Sequence, residues 1–233
     1  MAARPIYYDT ETTGIRPEQD RIVEIAAFDP ILNKTFEKLI NPRIPIPKEA
    51  TAIHKITDEM VQDAPCFEEV AKDFADFCVG DVVLIAHNND GFDIHFLRQE
   101  FKRINLELPP WKFLDSLKWS RRYRSDFPRH TLQFLREMYQ IAANNAHRAL
   151  DDVIVLHQVF SNLIDDLTID QAYSLLNRPQ SLQHMPFGKH QGVPLKSIPA
   201  NYVKWLASNG VFEKPENHEL KLSFSKLGLL TAS

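Results

Sequence analysis

The first forty residues contain three runs of β-forming residues that are separated by short turns. The runs read "RPIYYDTET", "RIVEIAAFDP" and "KTFEKLINP", and the third alternates apolar and polar positions. Alternation with a period of two is typical of a strand with one buried face. The pattern therefore predicts three consecutive strands in an antiparallel meander.

Later segments change to helical spacing. In "PCFEEVAKDFADFCVG" the apolar residues Phe67, Val70, Phe74 and Phe77 form a stripe at intervals of three and four, and Gly80 follows the helix. The next run, "VVLIAH", is wholly apolar, which predicts a central strand buried on both faces. The proline-rich stretch "PRIPIPKEATAIHKIT" predicts an ordered loop. Further helical segments are "DIHFLRQEFKRI", the end of "WKFLDSLKWSRRY", "HTLQFLREMY" and "HRALDDVIVLHQVFSNLIDDL".

This order predicts an α/β fold with a mixed sheet flanked by helices, followed by a small C-terminal appendage. The pattern of residues along the sequence changes after about Arg178. We therefore expect one domain over 1–166, a boundary within 165–182 and a small module of unknown role over 182–233.

Neither a membrane-spanning run nor an apolar signal core is evident, and there are only two cysteines, so we expect a cytoplasmic protein without a membrane partner. The net charge of −4 argues against a protein that coats nucleic acid by charge alone.

Acidic residues recur where the predicted elements end. Asp9 and Glu11 lie two positions apart on the first strand and so point to the same face, where their repulsion favours a bound cation. Oxygen ligands of this kind suit a hard divalent ion. Asp93 opens a helix after "LIAHNNDGF", with Asp90 as the alternative in the same turn.

A third acidic pair, Asp151 and Asp152, begins the helix in "HRALDDVIVLHQVF". Asp152 shares an apolar face with Ala149, Leu156, Val159 and Leu163, whereas Asp151 shares a more polar face with Val155, Gln158 and Asn162. An acid on an inward face is costly unless it is paired or bound to metal, so we predict Asp152 as the ligand. His147 precedes the helix and has a side-chain type that can accept a proton near neutral pH.

Together, "DTETTG", "HNNDGFD" and "HRALDD" resemble, in order, the three motifs of the DnaQ-like (DEDDh) 3′–5′ exonucleases. The family pattern H-x-A-x-x-D falls on His147, Ala149 and Asp152, and the middle turn has the longer form seen in three-prime repair exonucleases. "ATAIHKIT" is similar to a further signature of the family, except that Lys55 stands where the family usually has glycine. The likeness covers residues 4–165 and implies a ribonuclease H-like fold.

The resemblance implies a two-metal mechanism of phosphodiester hydrolysis. Two Mg²⁺ or Mn²⁺ ions would be held by Asp9, Glu11, Asp93 and Asp152, and His147 would accept a proton from water. The product would be a nucleoside 5′-monophosphate released from a DNA 3′ end, as in proofreading or repair, and a DNA polymerase would be a partner. Residues expected to contact the terminal nucleotide are Thr12, Thr13 and Gly14, together with His54, His87, Asn88 and Phe92.

Other functions remain open at this stage. An RNA-trimming exonuclease would share the same metal site. A non-catalytic module that recruits a polymerase and a phosphodiesterase of small nucleotides are further alternatives.

Two segments combine basic and aromatic residues. "KWSRRYRSDFPRH" is the strongest local basic patch and could hold a single strand. In the C-terminal piece, Lys189, Lys196 and Lys204 with Tyr202 and Trp205 could contact nucleic acid. The interpretation we favour for that piece is a small core of Phe187, Leu195, Ile198, Tyr202 and Trp205 surrounded by solvated lysines.

Overall fold

The computed structural model describes residues 3–143, 149–178, 181–214 and 217–230. Five strands form one mixed sheet in the order β3-β2-β1-β4-β5. β1 and β3 each pair antiparallel with β2, whereas β1–β4 and β4–β5 are parallel. The predicted meander and mixed sheet are therefore confirmed. The strands are β1 (Arg4–Thr12), β2 (Ile22–Asp29), β3 (Lys34–Leu39), β4 (Val82–Ala86) and β5 (Lys112–Asp115).

The predicted helices are present in the predicted order, and the structure adds four that were not predicted, namely Lys48–His54, Asp58–Val61, Ile169–Asn177 and His218–Lys226. The segment predicted as a proline-rich loop contains a helix, because Pro47 fixes an extended entry and the next seven residues include good helix formers. The helices are α1 (Lys48–His54), α2 (Asp58–Val61), α3 (Phe67–Phe77), α4 (Asp93–Arg103), α5 (Ser116–Tyr123), α6 (Leu132–Met138), α7 (Ala149–Ile164), α8 (Ile169–Asn177), α9 (Ala200–Ser208) and α10 (His218–Lys226).

The sheet separates two apolar layers. Alternate residues of β1 belong to different layers, with Tyr8 packed in the layer of α3 and α4 and Tyr7 in the layer of α5 to α8. All five residues of β4 are buried, as the unbroken apolar run predicts. The two faces of β1 therefore present side chains to two different sets of helices.

The chain divides into two compact units, residues 1–176 and 177–233. The second unit has its own apolar core, made mainly of Met185, Leu195, Ile198, Val203, Leu206, Phe212, Leu220 and Phe224. The expected core over this segment is wrong in one respect: Trp205 is 53% exposed, because it lies on the side of α9 away from Val203 and Leu206. Among the helices that the structure describes, none is long and apolar enough to cross a membrane.

Candidate active site

Three carboxylates meet where β1 passes beneath α7. Asp9 and Glu11 project from the face of β1 that also carries Tyr7, which is the face covered by α7. Asp152 lies in the first turn of α7. One oxygen from each of Asp9, Glu11 and Asp152 lies within 4.8 Å of the other two. All three side chains are partly buried.

Helix α7 selects Asp152 rather than Asp151. Ala149, Leu156 and Val159 share the face of Asp152 and are buried against the sheet. This packing turns Asp152 towards β1, whereas Asp151 is not a member of the carboxylate cluster. The structure thus places these two side chains as their helical spacing predicts.

Asp93 approaches β1 from the other layer. It opens α4, is only 2% exposed and accepts a 2.8 Å hydrogen bond from the hydroxyl of Thr10. Thr10 points away from Asp9 and Glu11 because it is the residue between them on the strand. The alternative in the same turn, Asp90, is exposed and forms a 2.9 Å ion pair with Lys118.

The site disfavours negative charge on two of its carboxyls. Burial raises the pKa of Asp9 well above its ordinary value, and repulsion from Asp93, Glu11 and Asp152 adds to the rise. Burial raises the pKa of Asp93 to about 7, although the hydrogen bond from Thr10 opposes the shift. A carboxyl whose pKa is raised keeps its proton unless a cation replaces that proton and stabilises the carboxylate. A cluster made only of oxygen donors fits a hard divalent ion such as Mg²⁺ or Mn²⁺.

A second buried carboxylate, Asp115, fixes the turn that leads to Asp93. Its Oδ1 accepts hydrogen bonds from the backbone N–H groups of Leu117 (2.8 Å), Lys118 (3.1 Å) and Asn88 (3.2 Å), and its Oδ2 accepts one from Asp90 (2.9 Å). Asp115 therefore caps α5 and ties the turn to the end of β5. Tyr8 supports the same turn, because its hydroxyl donates to the side chain of buried Asn89.

A cavity of about 630 Å³ opens beside Glu11. The loop that follows β1, helix α1 and Phe92 form its walls. Five of the residues expected to contact a nucleotide line it, namely Thr12, Thr13, Gly14, His54 and Phe92. Gly14 lies at its rim, where a Cβ would be 2.5 Å from the carboxylate of Asp20, which accepts a hydrogen bond from the backbone N–H of Arg16. A larger residue here would force the Asp20 side chain to move.

His54 lines this cavity and is almost fully buried. Its Nδ1 accepts a 3.0 Å hydrogen bond from the backbone N–H of Ile56, so we assign the ring hydrogen to Nε2. Nε2 is buried and makes no hydrogen bond to any described residue. Burial lowers the pKa of His54, and the nearby carbonyl of Thr12 partly opposes this.

His87 and Asn88 are not brought to the cavity. Both ring nitrogens of His87 are occupied, with Nδ1 at 2.8 Å from Ser116 Oγ and Nε2 at 2.9 Å from the carbonyl of His130. Burial lowers the pKa of His87 to about 4. Asn88 occupies the left-handed backbone region and donates its N–H to Asp115. These two residues therefore do not line the cavity beside Glu11, and their expected contact with a nucleotide stays a prediction. His147 lies outside the described residues.

The basic patch on α5 is largely committed to the fold. Trp119 is buried and donates its indole N–H to the carbonyl of Leu163. Arg124 lies 3.8 Å from the ring centroid of Phe127 and pairs with Asp126. The aromatic rings that would have to stack on bases are thus mostly used for packing.

Two further polar residues reach the carboxylate cluster and were not anticipated. Glu24 lies opposite Glu11 in the β1–β2 register, is fully buried and accepts a 3.2 Å hydrogen bond from the N–H of Ala149 at the start of α7. Gln133 on α6 donates a 3.3 Å hydrogen bond to Asp152. The sequence contained a signal for Glu24, because an acidic residue inside the apolar run "RIVEIAAF" indicates a buried acid. Nothing in the sequence marks Gln133 as a residue of the site.

The mixed sheet flanked by helices, with a carboxylate cluster at the end of its central strand, is the arrangement expected of a ribonuclease H-like fold. The family model described as "Exonuclease" (RNase_T) matches residues 6–160, more than half of the chain. The chain therefore belongs to this exonuclease family, and the predicted DnaQ-like identity is confirmed. Residues 179–221 match a separate model described as "Putative quorum-sensing-regulated virulence factor".

Curated relatives include much longer proteins. Over 166 residues, 70% of this chain, it is 36% identical to the PolC-type DNA polymerase III of Caldanaerobacter subterraneus and 31% identical to that of Staphylococcus aureus. The chain spans only 12% and 11% of those polymerases.

Solved structures extend the likeness to the fold. Exonuclease X in complex with 5′ overhanging duplex DNA is 26% identical, with a TM-score of 0.57 over 74% of this chain and 99% of that one. A structure of exonuclease I has a TM-score of 0.63 at 21% identity, over 74% of this chain and 43% of its own. The ribonuclease H-like fold prediction is thereby confirmed.

Proposed function

We propose that this protein is a metal-dependent 3′–5′ exonuclease that removes nucleoside 5′-monophosphates from the 3′ end of DNA. The observation that carries this proposal is the juxtaposition of the Asp9–Glu11–Asp152 cluster with the cavity beside Glu11. A terminal nucleotide held in that cavity would present its phosphodiester to the cluster.

Asp9, Glu11, Asp93 and Asp152 would hold two divalent ions. When bound, such ions lower the pKa of a water molecule and stabilise the charge that develops on the phosphate and the leaving 3′ oxygen. Asp9, Glu11 and Asp152 lie together, whereas Asp93 is hydrogen-bonded to Thr10 on the other face of the strand, so the inclusion of Asp93 in this ligand set rests on the family resemblance. His147 remains the candidate base on sequence grounds.

The cavity supplies contacts suited to one nucleotide. Ile53 and Phe92 give it apolar walls for a base, while Thr13 and His54 are polar residues of its lining. DNA is favoured as substrate because the exonuclease X neighbour was solved with duplex DNA and the curated relatives are DNA polymerases.

The test uses oligonucleotides of one sequence as DNA and as RNA, labelled at the 5′ or the 3′ end. With Mg²⁺ or Mn²⁺ we expect a 3′ label to appear at once as mononucleotide and a 5′ label to report a descending ladder. EDTA should stop both. A 5′ label released first would overturn the direction, faster shortening of RNA would overturn the substrate, and inertness with both metals would overturn the activity.

A further inference from the structure

The two units of the chain carry opposite charge. Residues 177–233 contain seven Lys and Arg against three Asp and Glu, a formal net charge of +4. Residues 1–176 contain 20 basic and 28 acidic side chains, a formal net charge of −8. Such an asymmetry points to a polyanionic partner for the basic unit.

An array of three rings lies on the surface of this basic unit. The rings of Tyr202 and Trp205 are stacked, with centroids 5.6 Å apart and planes 18° from parallel. His190 meets Tyr202 edge-on at 4.5 Å. Trp205 is 53% exposed, although a tryptophan gains most from burial.

The fold of the unit does not require this exposed tryptophan. Val203 and Leu206 supply the buried face of α9 and complete the core with α10. Tyr202 packs against that core. The loop at Gly188 also lies close to it, since a Cβ added to Gly188 would be 3.0 Å from the Tyr202 hydroxyl. The ring array is therefore rigidly supported while its outermost member faces solvent.

Several lysines that are close in sequence to these ring residues can contact a ligand. Within the described part of the chain, Lys189, Lys196 and Lys204 form no ion pair, whereas Lys221 pairs with Glu213 at 3.1 Å. Lys189 adjoins His190, and Lys204 adjoins Trp205 on α9. All three lysines are exposed.

We propose that the Trp205 face, defined as Lys189, His190, Tyr202, Lys204 and Trp205, binds single-stranded DNA. Bases stack on exposed aromatic rings while lysines neutralise the backbone, which is how proteins hold single strands with little sequence preference. This inference rests on the proposed function for its choice of DNA as the polyanion. It gives the enzyme a second contact with its substrate strand, outside the carboxylate site.

The test measures binding of a fluorescent oligodeoxythymidylate to the full chain in EDTA, so that no cleavage occurs. We expect Trp205→Ala to weaken binding about tenfold, in line with the loss of one base stack. Trp205→Phe should retain most of the affinity, and Leu227→Ala, which removes another exposed apolar side chain of this unit, should bind as wild type. Lys189→Gln with Lys204→Gln should reduce the slope of log K against log salt by roughly 0.7 for each lysine that contacts a phosphate.

A second measurement separates this face from the carboxylate site. Turnover of a mononucleotide p-nitrophenyl ester, which offers no further nucleotide to stack on these rings, should be unchanged in Trp205→Ala. Long oligonucleotides should be shortened less per encounter by that variant than by the wild type.

The inference and the proposed function fail in different ways. If the wild type shortens DNA but Trp205→Ala and the lysine pair bind it as tightly as wild type, the DNA-binding face is overturned and the exonuclease stands. If no DNA is shortened under any metal but binding still depends on Trp205 and the lysines, the face stands and the activity is overturned.

Discussion

The hydroxyl of Thr10 donates a 2.8 Å hydrogen bond to Asp93, a carboxyl on the opposite face of β1 from Asp9 and Glu11. Asp9 and Glu11 are themselves members of the cluster beneath α7, and Thr10 between them fixes the acid that arrives from α4. The side-chain alternation of a β-strand makes this division of roles possible.

Asp93→Asn should stabilise the metal-free protein near and above neutral pH. The folded-state pKa of Asp93 is about 7 against an ordinary value of 3.8, so the folded protein binds the extra proton between these values. Stability of the wild type is therefore lost as pH rises from about 4 to about 7, and asparagine avoids this loss while still accepting from Thr10. In EDTA at pH 8 we expect a gain of about 2–4 kcal/mol, seen as a higher Tm by calorimetry.

The pH dependence provides the check on that prediction. The difference in Tm between Asp93→Asn and wild type should shrink on going from pH 8 to pH 5. Asp90→Asn, which alters an exposed carboxylate of the same turn, is the control and should show no such trend. A stabilisation that is constant across this range would contradict the raised pKa.

Asp152→Asn and Asp151→Asn should differ greatly in activity although the two residues are neighbours on α7. Only Asp152 lies in the carboxylate cluster, so its loss should reduce kcat at saturating Mg²⁺ by more than about 10³-fold. Asp151→Asn should stay within about threefold of wild type. The same rate measured for both variants on the oligonucleotide substrate would contradict the assignment.

Asp115 should show a graded response to substitution. Asp115→Asn keeps an oxygen at Oδ1 for Leu117, Lys118 and Asn88 but loses the acceptor for the N–H of Asp90, and we expect a cost of about 1–2 kcal/mol. Asp115→Ala loses all four bonds and should cost about 3 kcal/mol or more, with a lower kcat because the turn before Asp93 is released. Urea unfolding provides the measurement, and Asp126→Ala, at an exposed ion pair, should leave the unfolding midpoint unchanged.

Lys55→Gly should stabilise the protein. Lys55 ends α1 with φ of 65°, in the left-handed region where glycine is favoured. Relief of this strain exceeds the entropy cost of glycine, and we expect a gain of about 0.5–1 kcal/mol in the free energy of unfolding. The same change at Lys72, in the exposed middle of α3, should cost about 1 kcal/mol. Equal signs for the two substitutions would refute the strain argument.

Periodicity was sufficient to predict most of the elements that carry the site. The alternation in β1, the apolar run of β4 and the stripe on α3 each reflect burial against a large neighbouring surface, and burial leaves a pattern in the sequence. The face of α7 that carries Asp152 was predictable for the same reason, since Ala149, Leu156 and Val159 all pack against the sheet. Helix α1 was missed because prolines before a helix and prolines in a loop give the same local signal.

Residues whose role depends on long-range contacts were not predictable. The family resemblance implied that His87 contacts a nucleotide, but its ring nitrogens lie at hydrogen-bond distance from Ser116 Oγ and the distant carbonyl of His130. Gln133 reaches Asp152 only because α6 packs on α7. Trp205 was assigned to a core on composition, yet its position relative to Val203 and Leu206 on α9 turns it outward.

The alternation along β1 also constrains how its length can change during evolution. Tyr7 and Asp9 face α7, while Tyr8 and Thr10 face α3 and α4. Insertion or deletion of a single residue between Tyr7 and Glu11 would exchange the two faces, driving carboxylates into an apolar layer and removing them from Asp152. Only changes of two residues preserve the facing, so this strand should be among the segments of the chain least tolerant of length variation.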